Sequence, residues 1–312
     1  MPEAKMVVTP INALTVDVED YFHVEAFSGQ VARETWDQYP LRVVENTWRV
    51  LDLLDSHAAK ATFFVLGWVA RKVPRVVSEI ARRGHEVGCH SFWHRLVYKL
   101  TPEEFRSDLR EATRAIEDAA QVKLKGHRAP TYSITPSSAW ALDILADEGY
   151  AYDSSIFPIR HDIYGFPAFP RFPVTVDLSE KPGQAGGNGS APTRSIVEFP
   201  ASTVKILGKN IPGPGGGYLR ILPLRYAHWA LRRIGGREKM PASVYFHPWE
   251  IDPDQPRLGG PFRSQIRHYT RLRDTARRLE TLLQAFRFAP MSRVLEMMPA
   301  PQVLCLESSL AK

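Results

Sequence analysis

The chain has 312 residues, 44% hydrophobic and 24% charged, with a formal net charge of +6. This is an ordinary globular composition, enough for one large domain or one domain plus an appendage. It excludes a membrane span, since no window approaches the roughly 18–20 uninterrupted apolar residues that one needs. The first residues, MPEAKMVVTPINALTVDVEDYF, show no basic segment followed by an apolar one, so no signal peptide is expected and a cytoplasmic location is the expectation. The two cysteines, Cys89 and Cys305, fit no zinc or disulfide framework. Basic residues are scattered, and the one dense tract, RLRDTARRLE (271–280), reads as the solvated face of an amphipathic helix, so no nucleic-acid partner is expected.

Short apolar runs alternate with helical patterns through the first half. NALTVDV (12–18) reads as a strand from its β-branched content, and VVENTWRVLDLLDSH (43–57) as a helix. KATFFVLG (60–67) is a buried strand closed by Gly67, and PRVVSEIARRG (74–84) is a helix with Pro74 at its start and Gly84 past its end. HEVGCH (85–90) is a third strand. TPEEFRSDLREATRAIEDA (101–119) opens on a Thr cap, a proline and two acids, as a helix start should. GHRAP (126–130) ends another strand and TPSSAWALDILADEGY (135–150) is another helix. This β-α-β-α rhythm predicts parallel strands with helices outside, in a doubly wound sheet or a barrel. Beyond about residue 155 the rhythm fails. SEKPGQAGGNGSAP (179–192) has the composition of a flexible loop, and IPGPGGGYLR (211–220) is a Gly-rich loop without a phosphate-loop ending. SIVEFP (195–200) and PASVYFHPWEID (241–252) contain strands, residues 266–287 form a basic amphipathic helix, and the tail from 299 is loose.

In parallel α/β folds the working residues gather at the carboxyl ends of strands. Those ends carry Asp17, Glu19 and Asp20; His90 and His94; Arg128; Asp153; and His247. His90 and His94 are four residues apart, about one turn of helix, and on their own are equally readable as two unconnected imidazoles. Five strand ends, each with an acid, a base or an imidazole, point to one site. A carboxylate with two neutral imidazoles suits zinc or another divalent ion with open positions.

The order TVDVED, HSFWH, RAP, YDSS and FH resembles the five motifs of the polysaccharide deacetylases of carbohydrate esterase family 4, the NodB-homology family, and HSFWH matches the second motif in full. NALTVDVEDYFHVEAF is similar, more narrowly, to exosortase-associated exopolysaccharide deacetylases, which carry an extra C-terminal segment. The resemblance spans roughly 11–295. It implies a distorted (β/α) barrel, with a catalytic domain over 11–255 bearing insertion loops at about 159–195 and 208–220, a helical extension over 256–298, and a flexible tail over 299–312. The first motif departs from the usual Thr-Phe-Asp-Asp, because Val18 follows Asp17. Asp17 maps onto the family's base; the metal carboxylate is Glu19 by spacing or Asp20 by residue type.

The resemblance further implies hydrolysis of N-acetyl groups from an acetamido-sugar polysaccharide or oligosaccharide, in exopolysaccharide biosynthesis. A divalent metal, Zn²⁺ first, would be held by His90, His94 and one acid. His247 would protonate the leaving amine, Arg128 would orient Asp17, and the Thr131 N–H would hold the carbonyl oxygen. Asp153 would partner His247 or the substrate, and Trp93, Tyr132 and Trp249, with Tyr21 and Phe22 as weaker candidates, would stack on sugar rings. Two rival readings are an allantoinase-like hydrolase of small ureides and a non-catalytic carbohydrate-binding protein; the presence of a base and an acid together argues against the second.

Overall fold

The computed structural model describes residues 10–179 and 194–306, and within them the alternating sequence pattern becomes alternating strands and helices. The first half runs β1 (Asn12–Val18), α1 (Val43–Ser56), β2 (Thr62–Val65), α2 (Gly67–Lys72), α3 (Pro74–Arg82), β3 (Glu86–Cys89), α4 (Pro102–Ala120), β4 (Gly126–His127), α5 (Ala141–Asp147) and β5 (Tyr152–Asp153). Local chemistry sets these bounds. Thr101 Oγ1 accepts from Glu104 N at 3.2 Å and Glu104 returns the bond to Thr101 N at 2.8 Å, with Pro102 in the first turn of α4. Past α3 the chain turns at Gly84, in the left-handed conformation at φ 74°.

The second half supplies β6 (Val174–Asp177), β7 (Ser195–Glu198), a separate hairpin of β8 (Thr203–Ile206) and β9 (Lys209–Pro212), then α6 (Gly216–Ile221), α7 (Leu224–Arg232), β10 (Ser243–Phe246), α8 (Phe262–Tyr269), α9 (Leu272–Ala285), β11 (Phe288–Ala289), α10 (Met291–Met297) and β12 (Gln302–Cys305). The main sheet has the order β10-β1-β2-β3-β4-β5-β7-β6-β12, and every pairing but β6–β7 is parallel.

The sheet curls strongly. Flat, it would hold β1 and β4 about 14 Å apart, three strand spacings. Yet the Arg128 guanidinium, just past β4, donates to Thr15 Oγ1 at 2.7 Å and to Asp17 Oδ1 at 2.8 Å, both on β1. From β5, Tyr152 OH donates to Glu86 of β3 at 3.0 Å, and the Tyr152 ring meets Phe64 of β2 at 6.5 Å. The interior of the curl is thus filled with side chains, as in a barrel, although β10 and β12 are not paired with each other among the described residues.

Four expectations change. The helix predicted over 266–287 is two helices, because Arg271 takes a left-handed φ of 54° between α8 and α9. The Gly-rich stretch 211–220 contains the end of β9 and most of α6. The extension over 256–298 is largely helical but also adds a short strand to the sheet: β11 pairs with β1 at Asn12 and Ala13. The tail is not loose where described, since Gln302–Cys305 forms β12 against β6; backbone pairing with a strand whose inner residues are buried outweighs an uninformative composition. The flexible loop predicted over 179–192 lies, apart from Ser179, outside the described residues, as do the last six residues of the tail.

The filled interior yields a stability prediction. A Cβ on Gly126 would stand 2.1 Å from the Tyr152 ring, whereas one on Gly29 would meet nothing within 4 Å. Gly126→Ala is expected to lower unfolding free energy by about 1–3 kcal/mol, and Gly29→Ala by less than about 0.5 kcal/mol, as read by urea denaturation.

Candidate active site

Each contributing strand ends in a tight turn that aims a side chain into one cleft. After β1 the chain turns at once, with Glu19 N donating to Asp17 O at 3.0 Å. After β3 the loop carrying both histidines is no helix: Ser91 and His94 are left-handed, at φ 61° and 50°. This geometry is costly for residues other than glycine and is held from outside. Asp108 of α4 accepts from Phe92 N at 2.7 Å and Trp93 N at 3.3 Å, and Ser91 Oγ accepts from His94 N at 3.1 Å. The imidazoles of His90 and His94 therefore meet through a turn, their centroids 5.4 Å apart.

Donor atoms of Glu19, His90 and His94 all lie within 4.8 Å of one another. Arg128 O lies 2.7 Å from His90 Nδ1, which must carry the hydrogen and leave Nε2 with a free lone pair toward the cleft. Burial pushes His90 down to about 4, against the pull of Asp17, so it is neutral at pH 7. Burial pushes the Glu19 carboxyl up, but the imidazoles of His94, His247 and His90 outweigh it and hold it well below the usual range. Glu19 Oε2 lies 2.7 Å from His94 Nε2 and makes no hydrogen bond to it, and it is buried. An unsatisfied buried carboxylate oxygen beside two imidazole nitrogens is a donor set that a divalent cation satisfies.

Two charged assemblies flank these donors. Asp17 is paired with Arg128, whose other nitrogens donate to Ser154 Oγ at 3.0 Å and Ser154 O at 3.1 Å. On the other side, His247 Nε2 stands 3.5 Å from Glu19 and 3.9 Å from Asp17, while its Nδ1 lies 2.6 Å from Glu250 Oε1. Glu250 is held in turn by Arg220 Nε at 2.5 Å. Burial opposes protonation of His247, but Glu19 and Glu250 overcome it and raise the group to about 9. The site thus holds one imidazole neutral and another cationic, through environment alone.

The cleft, of about 280 Å³, is lined by Asp17, Glu19, His90, His94, Arg128 and His247, and by Thr131, Tyr132 and Trp249, with Glu250 behind His247. Thr131 and Tyr132 lie in a left-handed turn at φ 56° and 51°. Trp249 Nε1 donates to Glu19 Oε1 at 3.2 Å, and its ring stacks between His247 at 5.1 Å and His268 at 4.1 Å.

Three candidates fall elsewhere. Asp20 is turned away: its carboxylate accepts from the backbone N–H groups of Arg42, Val43 and Tyr21 at 2.7, 2.8 and 2.9 Å, so it holds the start of α1. Asp153 lies buried 2.7 Å from His127 Nδ1 and touches neither the cleft nor His247; Glu250 has the position expected of it. Trp93 packs on Phe92 and Trp36, because its loop folds the ring outward from the ligand pair. Tyr21 and Phe22 belong to the core. Glu250 and Arg220 were not picked out from sequence. Glu250 had a signal, the His-Pro-x-Glu spacing of a capped turn. Arg220 had none, since its partner is thirty residues away.

Residues 26–152 match the family model described as polysaccharide deacetylase, and residues 154–296 match one described as a domain of unknown function, DUF3473. The chain is 38% identical over 96 residues to a peptidoglycan-N-acetylglucosamine deacetylase of Bacillus cereus, covering 30% of this chain and 34% of the relative. It is 32% identical over 136 residues to a chitooligosaccharide deacetylase of Sinorhizobium fredii, covering 42% and 60%. The chain thus spans about a third to three fifths of these two curated relatives. A crystal structure from Mycobacterium smegmatis, described as that of a polysaccharide deacetylase, superimposes with a TM-score of 0.61 at 21% identity over 95% of this chain and 93% of that one, which shows a shared fold. The similarity to polysaccharide deacetylases is thus carried at sequence level by residues 26–152.

The two acids after Asp17 are expected to part company. Glu19→Gln should abolish tight Zn²⁺ binding in a titration calorimeter. Asp20→Ala should keep it and lower the unfolding free energy by about 1–3 kcal/mol, because three backbone donors lose their acceptor.

Proposed function

We propose that this chain hydrolyses N-acetyl groups from an acetamido-sugar polymer with the help of a divalent metal, Zn²⁺ first. The observation that carries this reading is the convergence, in one cleft, of a carboxylate paired to arginine, a carboxylate–imidazole–imidazole donor set and a cationic imidazole. The family match over 26–152 and the relatives named as N-acetylglucosamine and chitooligosaccharide deacetylases support it. Glu19, His90 and His94 would hold the metal, which when bound supplies Lewis acidity to an amide carbonyl and lowers the pKa of a water. The narrower role, in exopolysaccharide assembly, rests on the sequence resemblance.

This chain's own residues then do three things. Asp17 accepts the proton of the attacking water as general base; Arg128 fixes its Oδ1, leaving Oδ2 toward the cleft. The water oxygen bonds to the amide carbon, with the Thr131 N–H as donor to the carbonyl oxygen. The C–N bond breaks as His247 delivers its Nε2 proton to the departing nitrogen, giving acetate and a free amine. Glu250, bonded to Nδ1, orients the ring and keeps it charged until that moment. Tyr164 and Tyr218 on the cleft wall offer ring faces to a sugar, which suits a saccharide better than a small ureide; Tyr132 is buried against Phe157 and Tyr245.

The test is acetate release from a chitooligosaccharide, with and without chelator. Activity is expected to vanish on chelation and return with Zn²⁺; undiminished turnover in chelator would overturn the metal role. Asp17→Asn should bind Zn²⁺ and lose activity.

The charged His247 sets the pH dependence. Its protonated form is present below about pH 9 and lost as pH rises through that value. A cation on Glu19 opposes the shift, so the basic limb of the rate profile should fall at or below pH 9. Glu250→Gln should move that limb downward, and His247→Ala should cost about 10²–10⁴-fold in kcat in protein that circular dichroism shows to be folded, with a lower melting temperature because buried Glu250 loses one cationic partner.

A further inference from the structure

The β8–β9 hairpin and α7 carry features that neither the core nor the cleft uses. At the hairpin tip Leu207 is 98% exposed, and it adopts φ 47° followed by Gly208 at φ 80°. Such a two-residue turn is built without strain from glycine or asparagine. A leucine there is unfavourable for the backbone and gains nothing from packing. Ile206 beside it is also exposed, and Lys205 and Lys209 flank the pair.

Helix α7 presents a matching face. Arg225, Trp229 and Arg232 follow at i, i+4 and i+7, exposed along one stripe, while Ala227, Ala230 and Leu231 are buried on the other side. Trp229 is 41% exposed, and the Arg233 guanidinium lies 5.6 Å over its ring. Arg233 also donates to Lys205 O at 3.2 Å, and Tyr226 OH donates to Pro212 O at 2.6 Å, so helix and hairpin form one surface. Lys205, Lys209, Arg225, Arg232, Arg237 and Lys239 stand exposed on it. The one acid of residues 203–212 and 224–239, Glu238, is bonded to Arg171.

We propose that this surface seats the protein peripherally on a bilayer containing anionic phospholipid. Leu207 and Ile206 would enter the acyl boundary, Trp229 would lie at headgroup level, and the basic side chains would meet lipid phosphates. An acidic glycan would also take the charges and the indole, but it offers nothing to a fully exposed aliphatic tip on a strained turn. No helix among the described residues is long and apolar enough to cross a membrane. The inference is independent of the activity proposed above.

The experiment is co-sedimentation of the full chain with phosphatidylcholine vesicles, with and without admixed phosphatidylglycerol, alongside soluble alginate as an acidic glycan. Binding is expected to be at least about tenfold tighter to the anionic vesicles and to weaken with salt. Leu207→Gly suits the turn and should preserve the fold, yet it should weaken vesicle binding by about tenfold. The pair Arg225→Glu and Arg232→Glu should weaken it by about tenfold or more, with circular dichroism melts verifying that each variant is folded. Absence of vesicle binding, binding to alginate alone, or vesicle affinity unchanged in Leu207→Gly would each overturn the proposal.

Discussion

The buried pair between Arg128 and Asp17 is the constraint on which the remainder of the structure depends. Arg128 is 0% exposed, and its guanidinium spends its donors on Thr15, Asp17 and Ser154. A buried charge stripped of its partner costs about 3–5 kcal/mol, so β1 and β4, which are not neighbours in the sheet, must come within the reach of one side chain. That requirement fixes the curl, and the curl brings the ends of β1, β3, β4 and β10 round a common space. The same contact orients one oxygen of Asp17 and frees the other. Architecture and chemistry therefore share one ion pair.

Around that pair the environment sorts chemically identical groups into different roles. His90 is buried with its Nδ1 facing a carbonyl, so it is neutral and suited to donate to a metal; His247 faces Glu19 and Glu250, so it is cationic and suited to give up a proton. Glu19 and Asp20 are adjacent acids with opposite fates. The carboxyl of Glu19 turns toward three imidazoles, while that of Asp20 is spent on backbone donors at the start of α1, and its burial pushes it up to about 6.

The two family models meet between residues 152 and 154, yet the site does not divide there. His247, Glu250, Trp249 and Arg220 come from the second segment, and Trp249 bonds directly to Glu19, the residue after β1. Residues 256–298 close the assembly: His268 O accepts from Arg220 at 2.7 Å, and the His268 ring stacks on Trp249. The His247 side of the cleft thus stands on a support that the first segment lacks.

The sequence by itself determined the parallel α/β alternation, because strand and helix periodicities differ and proline, threonine and glycine punctuate them. β1 lies where its β-branched run placed it, and α4 begins at its Thr-Pro signature. It also determined which residues stand at strand ends, since a side chain's position along a strand is a local property. Tertiary structure alone decided what those residues touch. Glu19 and Asp20 could not be separated along the chain, because the choice turned on a one-residue bend and on where α1 begins, more than twenty residues later. Asp153 and Trp93 stood at suitable ends, but a buried histidine claimed the first and a left-handed turn rotated the second away. Arg220 carried no local mark because its role exists only through Glu250 and the carbonyls of His268 and Thr270. Periodicity and turn signals act over a few residues, whereas a charge network is defined by distances in space that only the folded chain supplies.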